Sequence, residues 1–156
     1  MDDISAPSIA KGREIVAFHI SEQSFCIDIE HVREIRGWSP TTTLPHAPDY
    51  VKGMMNLRGI VLPVVDLSLR LGLGSTQPSS RHVIIIVMLG SRLVGLLVEA
   101  VSDILNLPYD SMKSTPDVAS TATKSFIEGI FTIDDRMIRA IDVGCLLPSH
   151  QGIENA

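Results

Sequence analysis

The residues able to do chemistry are scattered along this chain rather than gathered. The five histidines, His19, His31, His46, His82 and His150, contain no i, i+4 pair and no His-Glu-x-x-His run, the spacing that sets two imidazoles on one helix face around a zinc ion. Cys26 and Cys145 stand alone, outside any Cys-x-x-Cys, so neither a metal site nor a disulfide framework is expected. No Gly-x-Ser-x-Gly elbow offers a nucleophilic serine. Gly72-Leu-Gly74 is a fragment of a phosphate-cradling loop and reads better as a linker. Asp134-Asp135, followed by Arg136, fits a hairpin tip between Phe131 and Met137, where carboxylates lack the burial that acid–base work requires. His19 lies opposite Phe18 on its strand and reads as a solvent-side residue. The expectation is a protein that is not an enzyme, with no catalytic residue, no cofactor and no metal.

Two strings place charges among apolar residues: Val32-Arg-Glu-Ile-Arg-Gly37 and Asn56-Leu-Arg-Gly-Ile-Val-Leu-Pro-Val-Val-Asp66. Glu34 and Arg58 are natural partners, because an isolated charge beside a core is costly and a paired one much less so. If the pair is fully solvated it contributes only ~0–1 kcal/mol.

The bulk composition narrows the classes of partner. Hydrophobic residues are 45% and charged residues 20% of the chain, enough for a packed core and too apolar for a disordered segment. A net charge of -5 disfavours nucleic acid and anionic membranes, which require a basic face. Aromatic residues are 4%, leaving no platform on which bases could stack. The most apolar run, Val83 to Leu89, is far short of the ~20 residues of a membrane helix. The acidic start Met1-Asp-Asp3 has no apolar stretch behind it, so a cytoplasmic location is expected.

The elements that carry these strings read mainly as strands. Val16, Phe18 and Ile20 alternate with Ala17 and His19, and after a turn at Ser21 to Ser24, Phe25, Ile27 and Ile29 alternate with Cys26, Asp28 and Glu30. Ile60 to Val65 is β-branched, but Pro63 has no backbone donor, which predicts an edge strand or a bulge. Val83 to Leu89 suits a strand covered on both faces. Leu93 to Val98 and Met137 to Val143 follow as further strands. Short helices are predicted at Pro48 to Gly53, Asp66 to Leu71 and Ser120 to Glu128, the last stopped by Gly129. The glycine- and serine-rich stretch 72–81 reads as a linker, and 1–12 and 149–156 as flexible tails.

The pattern repeats internally. Cys26 to Ile35 aligns with Gly95 to Ile104 at an offset of 69, matching Ile27 with Leu96, Val32 with Val101 and Glu34 with Asp103. Gly53 to Leu71 aligns with Gly129 to Leu147 at an offset of 76, matching Val61 with Met137 and Asp66 with Asp142. Duplication of one small β-rich unit is the reading, with one lobe near 13–71 and a second near 82–148 inside a single domain over 13–148.

These strings also carry a resemblance. Phe25-Cys-Ile-Asp-Ile29, Val32-Arg-Glu-Ile-Arg-Gly37, Leu44-Pro45, Pro48 to Gly53, Asn56-Leu-Arg-Gly59, Val64-Val-Asp-Leu67, and Val94 to Val98 running into Val101-Ser-Asp-Ile104 resemble, in that order, the CheW family of chemotaxis coupling proteins. The resemblance implies a mainly β fold of two SH3-like five-stranded β-barrel lobes. It implies a stand-alone, non-enzymatic adaptor linking the cytoplasmic tips of methyl-accepting chemotaxis receptors to the regulatory domain of the histidine kinase CheA, and meeting the membrane only through those receptors. Carried over residue by residue, the receptor-binding groove is lined by Val32, Glu34, Leu57, Arg58, Val61 and Ile104, and the kinase contact lies near Gly53 and Gly95. Ser68 stands where the family often has Arg, and His46 where Asn is commoner. Two other readings stand beside this one: a small enzyme using Glu34, Arg58 and Asp66 in a cleft, and a coupler serving an array unrelated to motility.

Overall fold

The computed structural model describes residues 12–114 and 125–147. Among the described residues eleven strands form two sheets. β1 (Gly12–Ile20), β2 (Gln23–Asp28), β8 (Ala100–Pro108), β9 (Met112–Lys113), β10 (Ile127–Ile133) and β11 (Arg136–Ile141) make a six-stranded sheet in the order β8-β1-β2-β11-β10-β9. β3 (Val32–Gly37), β4 (Val51–Leu57), β5 (Ile60–Asp66), β6 (Val83–Leu89) and β7 (Arg92–Val98) make a five-stranded sheet in the order β3-β6-β7-β5-β4. A short α-helix, α1 (Leu67–Arg70), follows β5, and Ser125 and Phe126 just before β10 are also helical. No helix of the described residues is long and apolar enough to cross a membrane.

The two sheets are not the two halves of the chain. Division at the 72–81 linker predicts each half folding on itself, whereas the pairing exchanges strands reciprocally. The third strand of each copy pairs with the first strand of the other, β3 with β6 and β8 with β1. The last strand of each copy runs parallel to the second of the other, β5 with β7 and β11 with β2. The registers repeat at the offsets read from the sequence. Val32 faces Val87 as Val101 faces Phe18, and Val64 faces Gly95 as Ala140 faces Cys26. A bulge interrupts both edge ladders at the same place, between Val32 and Glu34 on β3 and between Ala17 and Phe18 on β1, opposite β8.

This exchange produces three apolar cores. A central one draws Val16, Phe18, Phe25 and Ile27 from the first sheet and Val65, Ile85, Val87 and Leu96 from the second. Each sheet also closes over its own cluster, Ile15, Ala17, Cys26, Phe131 and Ile138 in one, and Leu62, Val64, Ile84, Ile86 and Leu97 in the other. β1, β2 and β6 are therefore apolar on both faces, which is why Cys26 and Ala17, expected to face outward in the alternation, are buried. Each fully buried aliphatic or aromatic side chain contributes about 1.5–3 kcal/mol, and the central cluster collects these gains only when both copies are present.

Local departures from expectation have local causes. Pro48 to Gly53 is a turn leading into β4, with Val51 N–H donating to Pro48 O, instead of a helix. Ser125 and Phe126 are helical and strand β10 begins at Ile127, so the helix expected over Ser120 to Glu128 stops two residues short of Glu128; 120–124, like the expected tails at 1–11 and 148–156, lie outside the described residues. β5 is interior instead of an edge, yet its pairing with β7 begins only at Val64, so Pro63 occupies a stretch flanked by β4 alone. The strand expected to run to Val143 ends at Ile141, where Asp142 caps a 3₁₀ turn by accepting from Gly144 N. Asp66 caps α1 in the equivalent way, accepting from Leu69 N.

Gly53 and Gly129 share one physical reason. The chain after β3 crosses close over β4, and the chain after β8 close over β10, so that a Cβ would lie 2.5 Å from Thr42 O at Gly53 and 2.9 Å from Lys113 O at Gly129. Backbone cannot yield as a flexible side chain does. Gly53→Ala should destabilise the protein by about 1–3 kcal/mol, read as a lower midpoint in urea unfolding with an unchanged slope.

Candidate functional site

The turn joining β4 to β5 places the first charged group. Arg58 and Gly59 take positive φ (51° and 89°), the conformation of a tight two-residue hairpin, and Asn56 Oδ1 accepts from Gly59 N at 2.8 Å. The turn lifts Arg58 into solvent, where its Nη2 reaches Glu34 Oε1 at 2.6 Å. Arg36 Nη1 takes the other carboxylate oxygen at 2.9 Å. β3 and β4 are the two ends of the hydrogen-bonded order, so the Glu34–Arg58 pair forms because the second sheet curls until its edges approach. The pairing expected from the sequence is present, and Arg36 is a second arm that sequence reasoning passed over.

The apolar residues of the site follow from face and register. Residues directly opposite in a ladder share a face. Ile35 lies opposite Ile85, and Ile104 opposite Val16; both partners belong to the central core. Val61 alternates with Pro63 and Val65, and Met137 with Arg139 and Ile141, where Val65 and Ile141 are again central-core residues. Ile35, Val61, Ile104 and Met137 thus all stand on the faces that the two sheets turn toward each other. All four are exposed, Val61 at 63% and Ile104 at 58%. They form two repeat-equivalent pairs, Ile35 with Ile104 and Val61 with Met137. Contiguous exposed apolar surface marks an interaction site, and these four residues are the candidates for one here.

The expected receptor-binding residues divide by burial. Glu34, Arg58, Val61 and Ile104 present surface, while Val32 is half-buried against the central core and Leu57 is buried in the core of the second sheet. Glu34 and Arg58 touch directly; Ile104 stands on the other sheet and joins them in a groove only as a proposal. Gly53 and Gly95 are buried, and a Cβ at Gly95 would lie 2.8 Å from Ile84 Cγ2. Any effect of changing either glycine on a kinase contact would pass through displaced neighbours. Ile35 and Met137 were missed, although their alignment with Ile104 and Val61 in the repeat already marked them.

Asp66 does not join Glu34. It is fully buried and bound to the linker, its Oδ2 accepting from Thr76 N and its Oδ1 from Thr76 Oγ1, each at 2.7 Å, with Lys52 Nζ 3.8 Å from Oδ2. A cleft combining Glu34, Arg58 and Asp66 is therefore not the arrangement seen. The stretch read as a plain linker is fastened at Thr76 and also at Gly74, whose carbonyl accepts from Ser68 Oγ at 2.7 Å.

Hydrogen bonds from Arg58 first, and then from Arg36, hold the Glu34 carboxyl below the usual carboxylate range. A depressed value in the folded state means the clamp is complete above the ordinary value of about 4.3 and is lost as pH falls through the lower, folded one. The Glu34 side-chain carboxyl resonance should titrate below that ordinary value, and Arg58→Gln should move its midpoint upward. An unmoved midpoint would show that the guanidinium is not its partner in solution.

The comparisons with known proteins meet this geometry. The CheW-like domain family matches residues 14–151. The chain is 51% identical over 140 residues to the chemotaxis protein CheW of Rhizobium meliloti (strain 1021), covering 90% of each chain. It is 32% identical to the chemotaxis protein CheW of Klebsiella aerogenes, over 90% of this chain and 84% of that one. The solved structure of the scaffolding protein TtCheW from Thermoanaerobacter tengcongensis superposes with a TM-score of 0.80 at 34% identity, over 87% of this chain and 88% of that one. With its register-matched duplication, its paired Glu34 and Arg58, and these relatives over nearly its whole length, the chain belongs to the CheW-like domain family.

Proposed function

We propose that this chain is a non-enzymatic, cytoplasmic adaptor of chemotaxis signalling. It joins the cytoplasmic tips of chemoreceptors to the regulatory domain of the histidine kinase CheA, so that receptor state reaches kinase activity. The observation that carries this reading is the set of exposed aliphatic residues on the facing sides of the two sheets, with a clamped ion pair at one edge. A receptor tip is a helical hairpin, and a helix docks by laying an apolar stripe along such residues while rim charges set its register. In this reading Val61 and Ile104 meet the stripe, Glu34 and Arg58 orient it, and Val32 and Leu57 support the floor from beneath. The kinase contact falls at the lobe ends near Gly53 and Gly95, leaving the groove free for the receptor. Association with the membrane then comes only through receptors.

Exposure makes Ile104 the cleaner test of the groove, because Val32 also packs on the core. Ile104→Asp should strand a charge against the partner's apolar stripe and reduce affinity for a receptor cytoplasmic fragment at least about tenfold, equivalent to ~1.4 kcal/mol. Its unfolding midpoint and its binding to the kinase regulatory domain should be unchanged. Arg58→Glu should weaken the receptor interaction with the fold intact, since a rim charge governs orientation more than packing. Calorimetric titration of both variants against both partners decides the matter. Equal loss of both interactions, or no loss of either, would place the groove elsewhere.

A further inference from the structure

The strand exchange has a consequence for how copies of this chain can assemble. Among the described residues, four ladders join the first copy to the second: β1 with β8, β2 with β11, β3 with β6 and β5 with β7. The central core is likewise shared. None of these contacts depends on both copies belonging to one molecule. The covalent tie between them is the stretch from Gly72 to His82, and its fastenings are made within the first copy. Leu73 N donates to Ser68 O at 2.8 Å, Ser68 Oγ to Gly74 O at 2.7 Å, and Thr76 is gripped by buried Asp66 through both its N–H and its hydroxyl. Lys52 Nζ holds Thr76 O at 2.8 Å, and Trp38 N donates to His82 O at 3.0 Å.

We propose that a second copy of this same chain is a competent partner through strand exchange. In that dimer the first copy of each molecule (12–71) pairs with the second copy of the other (83–147), in the registers seen within the monomer. The linker, folded back and fastened through Asp66 and Thr76, is what keeps the exchange inside one chain. A linker of this length gives the intramolecular partner a high effective concentration, and the fastening directs the chain toward its own β6. Shortening it removes the return path while leaving every ladder available in trans, the condition under which identical elements swap between protomers.

The test labels one inter-copy ladder. Glu14 and Asn106 are exposed and directly opposite on β1 and β8, so Glu14→Cys with Asn106→Cys can form a disulfide across that ladder. Cys145, which is exposed, is replaced by Ser, and buried Cys26 is kept. In the monomer this disulfide lies within one chain, and in the exchanged dimer it links two. Deletion of Gln77 to Ser80 in this background should give a species of twice the chain's 17.0 kDa by light scattering, and after oxidation a covalent dimer on a non-reducing denaturing gel. A folded monomer with an intrachain disulfide would overturn the proposal, as would a dimer that the oxidised gel resolves into single chains. If the deletion variant does not fold, the full-length cysteine variant is unfolded and refolded over a hundredfold range of protein concentration, then oxidised. The interchain fraction should rise with concentration, and a fraction that stays at zero overturns the proposal equally.

Discussion

The hydrogen-bonded ladders between the two copies are what the remaining structure depends on. Each sheet lacks two or more of its strands until the other copy supplies them, and the central core has walls from both. Neither copy could bury its own apolar strands, and β1, β2 and β6 in particular are too apolar on both faces to stand at a surface. This constraint also sets where the residues of the proposed groove stand. The edge strands β3 and β8 are the strands donated across the exchange. Their bulges end the covered segment, leaving Ile35 and Ile104 just past it, still on the inner face and exposed.

Charge is used differently at the two kinds of place where it occurs. Asp66 has no access to solvent, and it is tolerated because Thr76, Leu69 and Lys52 surround it; a buried carboxylate with these bonds removed would be strongly destabilising. Glu34 and Arg58 lie at the surface, where an ion pair adds little to stability. There the pair holds geometry across the gap between two sheet edges. Arg70 joins the copies in a third way. Its guanidinium lies 4.4 Å from the ring of Tyr50 and 4.8 Å from that of Phe126, two repeat-equivalent positions, and its Nε donates to Leu146 O. Such cation–π contacts contribute about 0.5–2 kcal/mol each, here across the join between copies.

The duplication, the mainly β class, the short helix at Asp66 to Leu71 and the Glu34–Arg58 pair were legible in the sequence, because each rests on a local pattern or on a charge that demands a partner. The exchange of strands was not. An alternating strand such as Val16 to Ile20 has the same pattern whether its neighbour comes from its own copy or the other, so periodicity identifies the strand and leaves its partner open. The same limit accounts for Pro63, whose missing donor signals an unpaired stretch without saying how short that stretch is. Burial on both faces hid Cys26 and Ala17, since small residues at outward positions carry no signal of a second core. The fastening of the linker escaped because glycine and serine composition reports backbone freedom, while the grip on Thr76 comes from an aspartate ten residues earlier.

The proposed inter-sheet groove is tested most directly by titrating a receptor cytoplasmic hairpin fragment into isotopically labelled protein and following the backbone amide and methyl resonances. The prediction is saturable shifts gathered at Glu34, Ile35, Arg58, Val61 and Ile104, with the interior of β6 and β7 unmoved. Shifts confined to surfaces away from those residues, or none at millimolar fragment, would contradict it.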